Sequence, residues 1–160
     1  MIFVMVGTHL KPFNRLLKKI DELIENGVIK EEVIAQFGSS DYKIKNYNGK
    51  PFFDKKERIK LIANANFVIT HGGAGCIIDS LLAGKPTIVV PRLKKFDEHT
   101  NDHQLEITEA FGSTGKIIPV YDIDELAGAL KSAKMIIHIK RNTELANKLS
   151  TYIKGIEVMK

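Results

Sequence analysis

The 160-residue sequence predicts an α/β domain of the doubly wound kind, a mainly parallel sheet with helices on both faces. Two observations carry this expectation. Runs that are apolar throughout, IFVMV at 2–6, FVIT at 67–70 and TIVV at 87–90, suit strands buried on both sides. Between such runs lie segments whose apolar residues recur three and four apart, the period of a helix with one buried face.

Taken in order, the first strand ends at Gly7. Phe13, Leu16, Leu17, Ile20, Leu23 and Ile24 then share a helical face, Lys11, Arg15, Lys18 and Glu22 occupy other faces, and Asn26-Gly27 stops the helix. VIAQF at 33–37 reads as the second strand and 42–47 as a short third. A helix over 54–64 leads into the strand at 67–70, and a helix from Gly73 to Ala83 stops at Gly84-Lys85-Pro86 before the strand at 87–90. A polar loop follows, then a helix over 101–111, a strand KIIPV at 116–120, a helix opening at Asp122 and a last helix from 140. The expectation is one domain, 1–160, with 134–160 as a C-terminal helical segment.

Composition narrows the class. A hydrophobic fraction of 44% and a charged fraction of 27% describe a globular protein. The net charge of +5 suits an anionic ligand or membrane surface, but lacks the clustered basic face and stacking aromatics of nucleic-acid binders. Lysines and arginine do gather at 55–60 and 94–95, where a solvated helix face and a solvated loop are the favoured reading. Cys76 is the single cysteine, so no internal disulfide and no cysteine-based zinc site can form. The opening MIFVMVG has no basic n-region and is too short to span a bilayer, so a cytoplasmic location is expected.

The strongest local signal is THGGAGC at 70–76. In a parallel sheet ligands bind beyond the carboxyl ends of the strands, and two strand ends stand out, Gly7-Thr8-His9 and His71-Gly72-Gly73-Ala74-Gly75. A helix start presents unpaired N–H groups and a partial positive charge, and a phosphate reaches them where no Cβ intervenes. The glycines therefore suit a diphosphate cradle; the alternative is that they let the helix pack tightly on the sheet. Asp79 lies one turn beyond Gly75, where a carboxylate can accept both hydroxyls of a ribose or serve as an acidic residue near a helix start. EHTNDHQLE at 98–106 is rich in groups that recognise hydroxyls; His99 and His103 are four apart with no further ligand pattern, so no metal is expected.

HGGAG with an acid four residues on, then GKPTIVVPR and NDHQLE, resembles the donor-binding half of family 28 glycosyltransferases, which have two Rossmann-like domains in the GT-B arrangement. The likeness runs from VGTHLKPF at 6–13 to DIDELAGAL at 122–130. It is to small single-domain members: the catalytic subunit that adds N-acetylglucosamine to a dolichol-linked saccharide, and bacterial exopolysaccharide subunits that transfer galactose to an undecaprenyl-linked one. VGTH…PF with VPR…DHQ is similar to the bacterial branch.

The resemblance implies an inverting hexosyltransferase that uses a UDP-sugar. Residues His71, Gly72, Gly73, Ala74 and Gly75 then hold the diphosphate, with Gly7 and Thr8 approaching from the first strand, and Asp79 holds the ribose. Phe53 lies near the uracil, Gln104 and His103 read the sugar, Arg92 helps stabilise the leaving diphosphate, and His9 is the candidate general base. Two departures are Asp79, where glutamate is commoner, and Cys76, where serine is frequent. No metal or other cofactor is implied. The acceptor, a lipid-linked saccharide, is expected to be held by a membrane-anchored partner subunit, placing this chain at the inner membrane face. Residues 55–60, 94–95, or Ile153, Ile156 and Val158 could meet that partner. The alternative is a non-catalytic nucleotide-sugar-binding enhancer or scaffold.

Overall fold

The computed structural model describes residues 1–142. Six strands form one sheet: β1 (Ile2–Met5), β2 (Val33–Gln36), β3 (Asn48–Lys50), β4 (Phe67–Thr70), β5 (Thr87–Val89) and β6 (Ile118–Pro119). Their order is β3-β2-β1-β4-β5-β6, and every pairing is parallel. The expected doubly wound α/β fold is present.

Alternation along the strands sends side chains to two separate cores. Ile2, Val4 and Val6 meet Leu16, Leu17 and Ile20 of α1 (Asn14–Glu25) and Leu126, Ala129 and Leu130 of α5 (Leu126–Asn142). Phe3 and Met5 point the other way, to Ile62 of α2 (Lys55–Asn64) and Cys76 of α3 (Ala74–Leu82). Ile77 of α3 and Val89 of β5 pack with Phe111 of α4 (His103–Ser113). Thus α1 and α5 cover one face, and α2, α3 and α4 the other. Helix starts and stops follow local chemistry. Asp54 caps α2 by accepting from the Glu57 N–H at 2.8 Å, while the Glu57 carboxylate accepts from the Asp54 N–H at 3.4 Å. After α1 the chain turns through Gly27 at φ +69°.

Three boundaries differ from expectation. The third strand is 48–50, not 42–47. Tyr42 and Ile44 alternate with lysines, but together with Tyr47, one residue out of phase, they pack as partly buried side chains against the α1 core. The buried Asp21 carboxylate accepts the N–H groups of Lys45 (3.0 Å) and Asn46 (2.8 Å), and the Tyr47 hydroxyl donates to Leu17 O at 3.0 Å. The backbone of this segment is therefore satisfied by α1 instead of a neighbouring strand. At the other end, Asp122 caps a single 3-10 turn, Ile123–Glu125, and α5 then continues to Asn142 without a break at 140. The last helix expected beyond that point, with Ile153, Ile156 and Val158, lies outside the described residues. Finally, α4 starts at His103 and not at 101.

Among the described residues no helix is long and apolar enough to cross a membrane. Replacing Asp21 by Ala orphans two backbone donors, so urea denaturation should show a loss of about 1–3 kcal/mol with the far-ultraviolet spectrum unchanged.

Candidate functional site

β1 and β4 lie side by side at the centre of the sheet, yet their connections lead to opposite edges, β1 to β2 and β4 to β5. A crevice opens above the carboxyl ends of such a pair. The sequence puts Gly7-Thr8-His9 on one wall and His71-Gly72-Gly73 with the start of α3 on the other.

His71 is buried between these walls. The Thr70 hydroxyl donates to Met5 O at 3.2 Å, so its oxygen accepts from His71 Nδ1 at 3.3 Å, and Nε2 is left as an acceptor. Burial first, then the Arg92 charge, pushes the imidazole down to about 4, so it is neutral at physiological pH. The ring fills the space between two glycines: a Cβ at Gly7 would lie 2.4 Å from Nε2, and one at Gly73 would lie 2.3 Å from it. Gly7 has a φ of +83°, which adds a second reason for glycine there.

Gly72 answers to a different neighbour. Its Cβ would meet Gln104 O at 2.6 Å and Thr108 Oγ1 at 2.8 Å, and its N–H donates to Gln104 Oε1 at 3.1 Å. At Gly75 nothing lies within 4 Å, and the residue is exposed. Glycine at 7, 72 and 73 is thus demanded by protein neighbours, and approach by a ligand is left to Gly75 and the start of α3. No side chain caps that start, and no acidic residue stands in its first turn.

Arg92 departs from its expected role. Fully buried, it donates from Nε (3.2 Å) and Nη2 (2.8 Å) to Val6 O, and from Nη1 to Lys11 O (2.7 Å) and Glu98 O (3.0 Å). The Phe13 ring centroid is 4.9 Å from its Cζ. Burial lowers its pKa to about 10, so it stays charged, but its donors are spent on carbonyls and none reaches a diphosphate. Glu98, the first residue of the EHTNDHQLE stretch, is buried beside it instead of facing a ligand; its carboxylate receives Arg15 Nε and Nη2, both at 2.9 Å, and the Leu93 N–H at 3.1 Å. Arg15 and Glu98 lie 83 residues apart, and no spacing rule could have joined them.

His9 Nδ1 accepts the Lys11 N–H at 3.1 Å, which leaves the neutral ring with its hydrogen on Nε2. Its ring centroid is 4.4 Å from that of His99, and burial, then His99, Arg92 and Lys11, lowers its pKa. In this arrangement His9 offers a donor, not the free lone pair a general base needs. Thr8 beside it is exposed.

The remaining candidates spread around the crevice. Gln104 Oε1 also accepts the Arg92 N–H at 3.1 Å, so its amide Nε2 is the group left for a ligand. His103 is exposed, with Nδ1 3.0 Å from Glu106 Oε2. Asp79 faces α2 and is paired with Arg58 at 3.0 Å. Cys76 is buried, and that burial pushes its thiol pKa up. Phe53 sets its ring edge-on to Phe3 at 5.9 Å, and its N–H donates to Gln36 Oε1 at 3.3 Å. Among the described residues no three His, Cys, Asp or Glu side chains are grouped to hold a metal ion.

Fold and crevice define an α/β domain of the doubly wound class, with an open crevice at its topological switch point. The chain belongs to the glycosyltransferase family 28 C-terminal domain family, whose sequence model matches residues 1–151. It is 35% identical over 96 residues, 60% of this chain and 29% of the relative, to the UDP-N-acetylglucosamine transferase subunit ALG13 of Candida albicans. It is 29% identical over 118 residues, 71% of this chain and 32% of the relative, to the UDP-N-acetylglucosamine–N-acetylmuramyl-(pentapeptide) pyrophosphoryl-undecaprenol N-acetylglucosamine transferase of Prochlorococcus marinus. The chain thus spans about a third of the length of these relatives. In structure it is similar to the glycosyltransferase of kitacinnamycin (TM-score 0.63, 19% identity, 82% of this chain and 34% of that one). It is likewise similar to the calicheamicin glycosyltransferase CalG4 (TM-score 0.60, 13% identity, 97% and 43%). These two share the fold.

Two outcomes follow. The folded state holds His71 neutral down to pH 4, whereas the unfolded chain protonates it from about 6.5, so the unfolded state binds the extra proton between those values. Its contribution is therefore complete above pH 6.5 and lost as pH falls toward 4, about 3 kcal/mol in all. Urea denaturation across this range should show that slope, and His71→Gln should flatten it. The glycines should also separate: Gly73→Ala should lower the melting temperature, while Gly75→Ala, with open space around it, should raise stability by up to about 1 kcal/mol.

Proposed function

We propose that this domain binds a UDP-sugar and serves as the donor half of an inverting hexosyltransferase. The observation that carries the reading is the uncapped start of α3, open at Gly75, above the switch point of a family 28 domain. The diphosphate takes the N–H groups of that first turn, where the helix supplies positive potential. The ribose reaches Asp79, whose pairing with Arg58 holds the carboxylate in place, and the uracil lies toward Phe53. Gln104 Nε2 and His103 face the sugar; Thr8 and the Nε2–H of His9 are further donors on the opposite wall.

As the bond from sugar to diphosphate breaks, negative charge grows on the phosphate and the anomeric carbon becomes cationic. Donors already aimed at the phosphate stabilise this charge without first reorganising. This reading involves no metal ion. Arg92 takes no part in it except by holding the crevice walls, and His9 becomes a base only if the Lys11 N–H releases Nδ1.

Both curated relatives carry names that describe N-acetylglucosamine transfer, one of them to a pyrophosphoryl-undecaprenol acceptor. N-acetylglucosamine is therefore the first sugar to test, with galactose and glucose, the transfers of exopolysaccharide or capsule synthesis, beside it. The relative named as a transferase subunit supports a heteromeric enzyme, in which a membrane-anchored partner holds a lipid-linked saccharide at the inner membrane face.

Isothermal titration with UDP and UDP-sugars, without added metal, tests the donor site. UDP should bind, Asp79→Ala should weaken it about tenfold or more, and Gly75→Val should block it. If neither the chain nor its complex with an acceptor-binding partner takes up UDP, the reading is wrong.

A further inference from the structure

Helix α3 carries large apolar residues on its outward as well as its inward side. Cys76, Ile77 and Ser80 pack inward, while Ile78 and Leu82 face outward, 44% and 82% exposed. A helix on a domain surface ordinarily turns polar and charged residues to water. The outward face of α3 carries one charge, Asp79, and Arg58 of α2 neutralises it at 3.0 Å.

Beside this stripe α2 turns Ile59, 51% exposed, and Ala63 outward. Ile59, Ile62, Ala63, Asp79, Leu82 and Ala83 line a groove of about 310 Å³ between the two helices. Lys55, Lys56 and Lys60 are exposed on the same side of α2, within about 100° of Ile59 around the helix axis. None of the three makes an ion pair among the described residues, and Glu57, the sole acid of α2, turns instead to Lys50 at 3.2 Å.

The surface is therefore apolar at its centre, cationic at its margin, and free of unpaired negative charge. Apolar side chains among lysines complement the acyl boundary and headgroup phosphates of an anionic bilayer. We propose that the α2–α3 flank docks the domain directly onto an anionic lipid surface. Ile59, Ile78 and Leu82 enter the interface, and Lys55, Lys56 and Lys60 meet the phosphates. The stripe descends α3 from its open start at Gly75, so the bilayer lies alongside the crevice. This goes beyond the donor-site reading and does not depend on it.

Co-sedimentation of the full chain with vesicles tests the proposal. The chain should pellet with vesicles of phosphatidylcholine and phosphatidylglycerol, not with phosphatidylcholine alone, and added salt should weaken the binding. The Lys56→Glu/Lys60→Glu pair and Leu82→Glu should each weaken it about tenfold or more. All these positions are exposed, and UDP titration of the same samples should be unchanged, which separates failure of this proposal from failure of the donor site. Absence of binding to anionic vesicles, or equal binding by the variants, overturns it. A concentration-dependent dimer that Leu82→Glu dissolves, without vesicle binding, would assign the face to a second copy of the chain and also overturn it.

Discussion

The buried guanidinium of Arg92 is the interaction on which the crevice depends. It ties Val6 O at the end of the first strand, Lys11 O in the loop that follows, and Glu98 O in the loop after β5. The loop after β1 and the loop after β5, far apart in sequence, are thereby held at one point. Taking a guanidinium out of water is costly, and the fall of its pKa to about 10 records that cost. The carbonyls offset it, because each would otherwise be a buried acceptor without a donor. Glu98 lends the opposite charge nearby, and Arg15 in turn holds Glu98 to α1 and reaches Pro91 O at 3.0 Å. The result is a wall whose position is set by hydrogen bonds between backbone segments and not by loop length.

The opposite wall is set by volume. His71 can occupy the space between the two strand ends only because Gly7 and Gly73 carry no side chain. In return, its neutral ring keeps the walls apart while placing no charge between them. A protonated imidazole there would face Arg92, which is one of the causes of its lowered pKa. Rigidity on both sides leaves the start of α3 as the open part of the crevice. In the proposed donor site that division would serve preorganisation, since donors that stabilise a developing charge must already be in place when it forms.

Much of this was legible in the sequence, for physical reasons that differ by element. Strands buried on both faces announce themselves as apolar runs, and α1 by its period, because burial dictates residue type locally. The turn that opens the crevice was legible too, since glycines after a buried strand mark a sharp strand-to-helix turn. What each glycine clears was not legible. Gly72 makes room for α4 and Gly73 for His71, and those neighbours are fixed by tertiary packing. The same holds for Arg92, which the family resemblance placed beside the diphosphate but whose donors meet carbonyls. Tyr42 and Ile44 gave a short strand-like alternation, but with Tyr47 they pack on the core that α1 lines; Asp21, unremarkable in sequence, holds the N–H groups of Lys45 and Asn46.

The two sides of α3 connect these points. Its inward side, Cys76, Ile77 and Ser80, anchors it to the sheet, so its start cannot drift from the crevice. Its outward side carries the exposed apolar stripe, and Asp79 stands between them, held by Arg58. One helix thus fixes the geometry of the open, uncapped end at the crevice and presents the flank that would rest on a surface. A lipid-bound acceptor moves within the plane of its bilayer, and docking along α3 would keep the crevice at a constant height above that plane. Encounter between donor and acceptor would then become a search in two dimensions, with the orientation already set, which is the entropic advantage that holding reactants in position supplies.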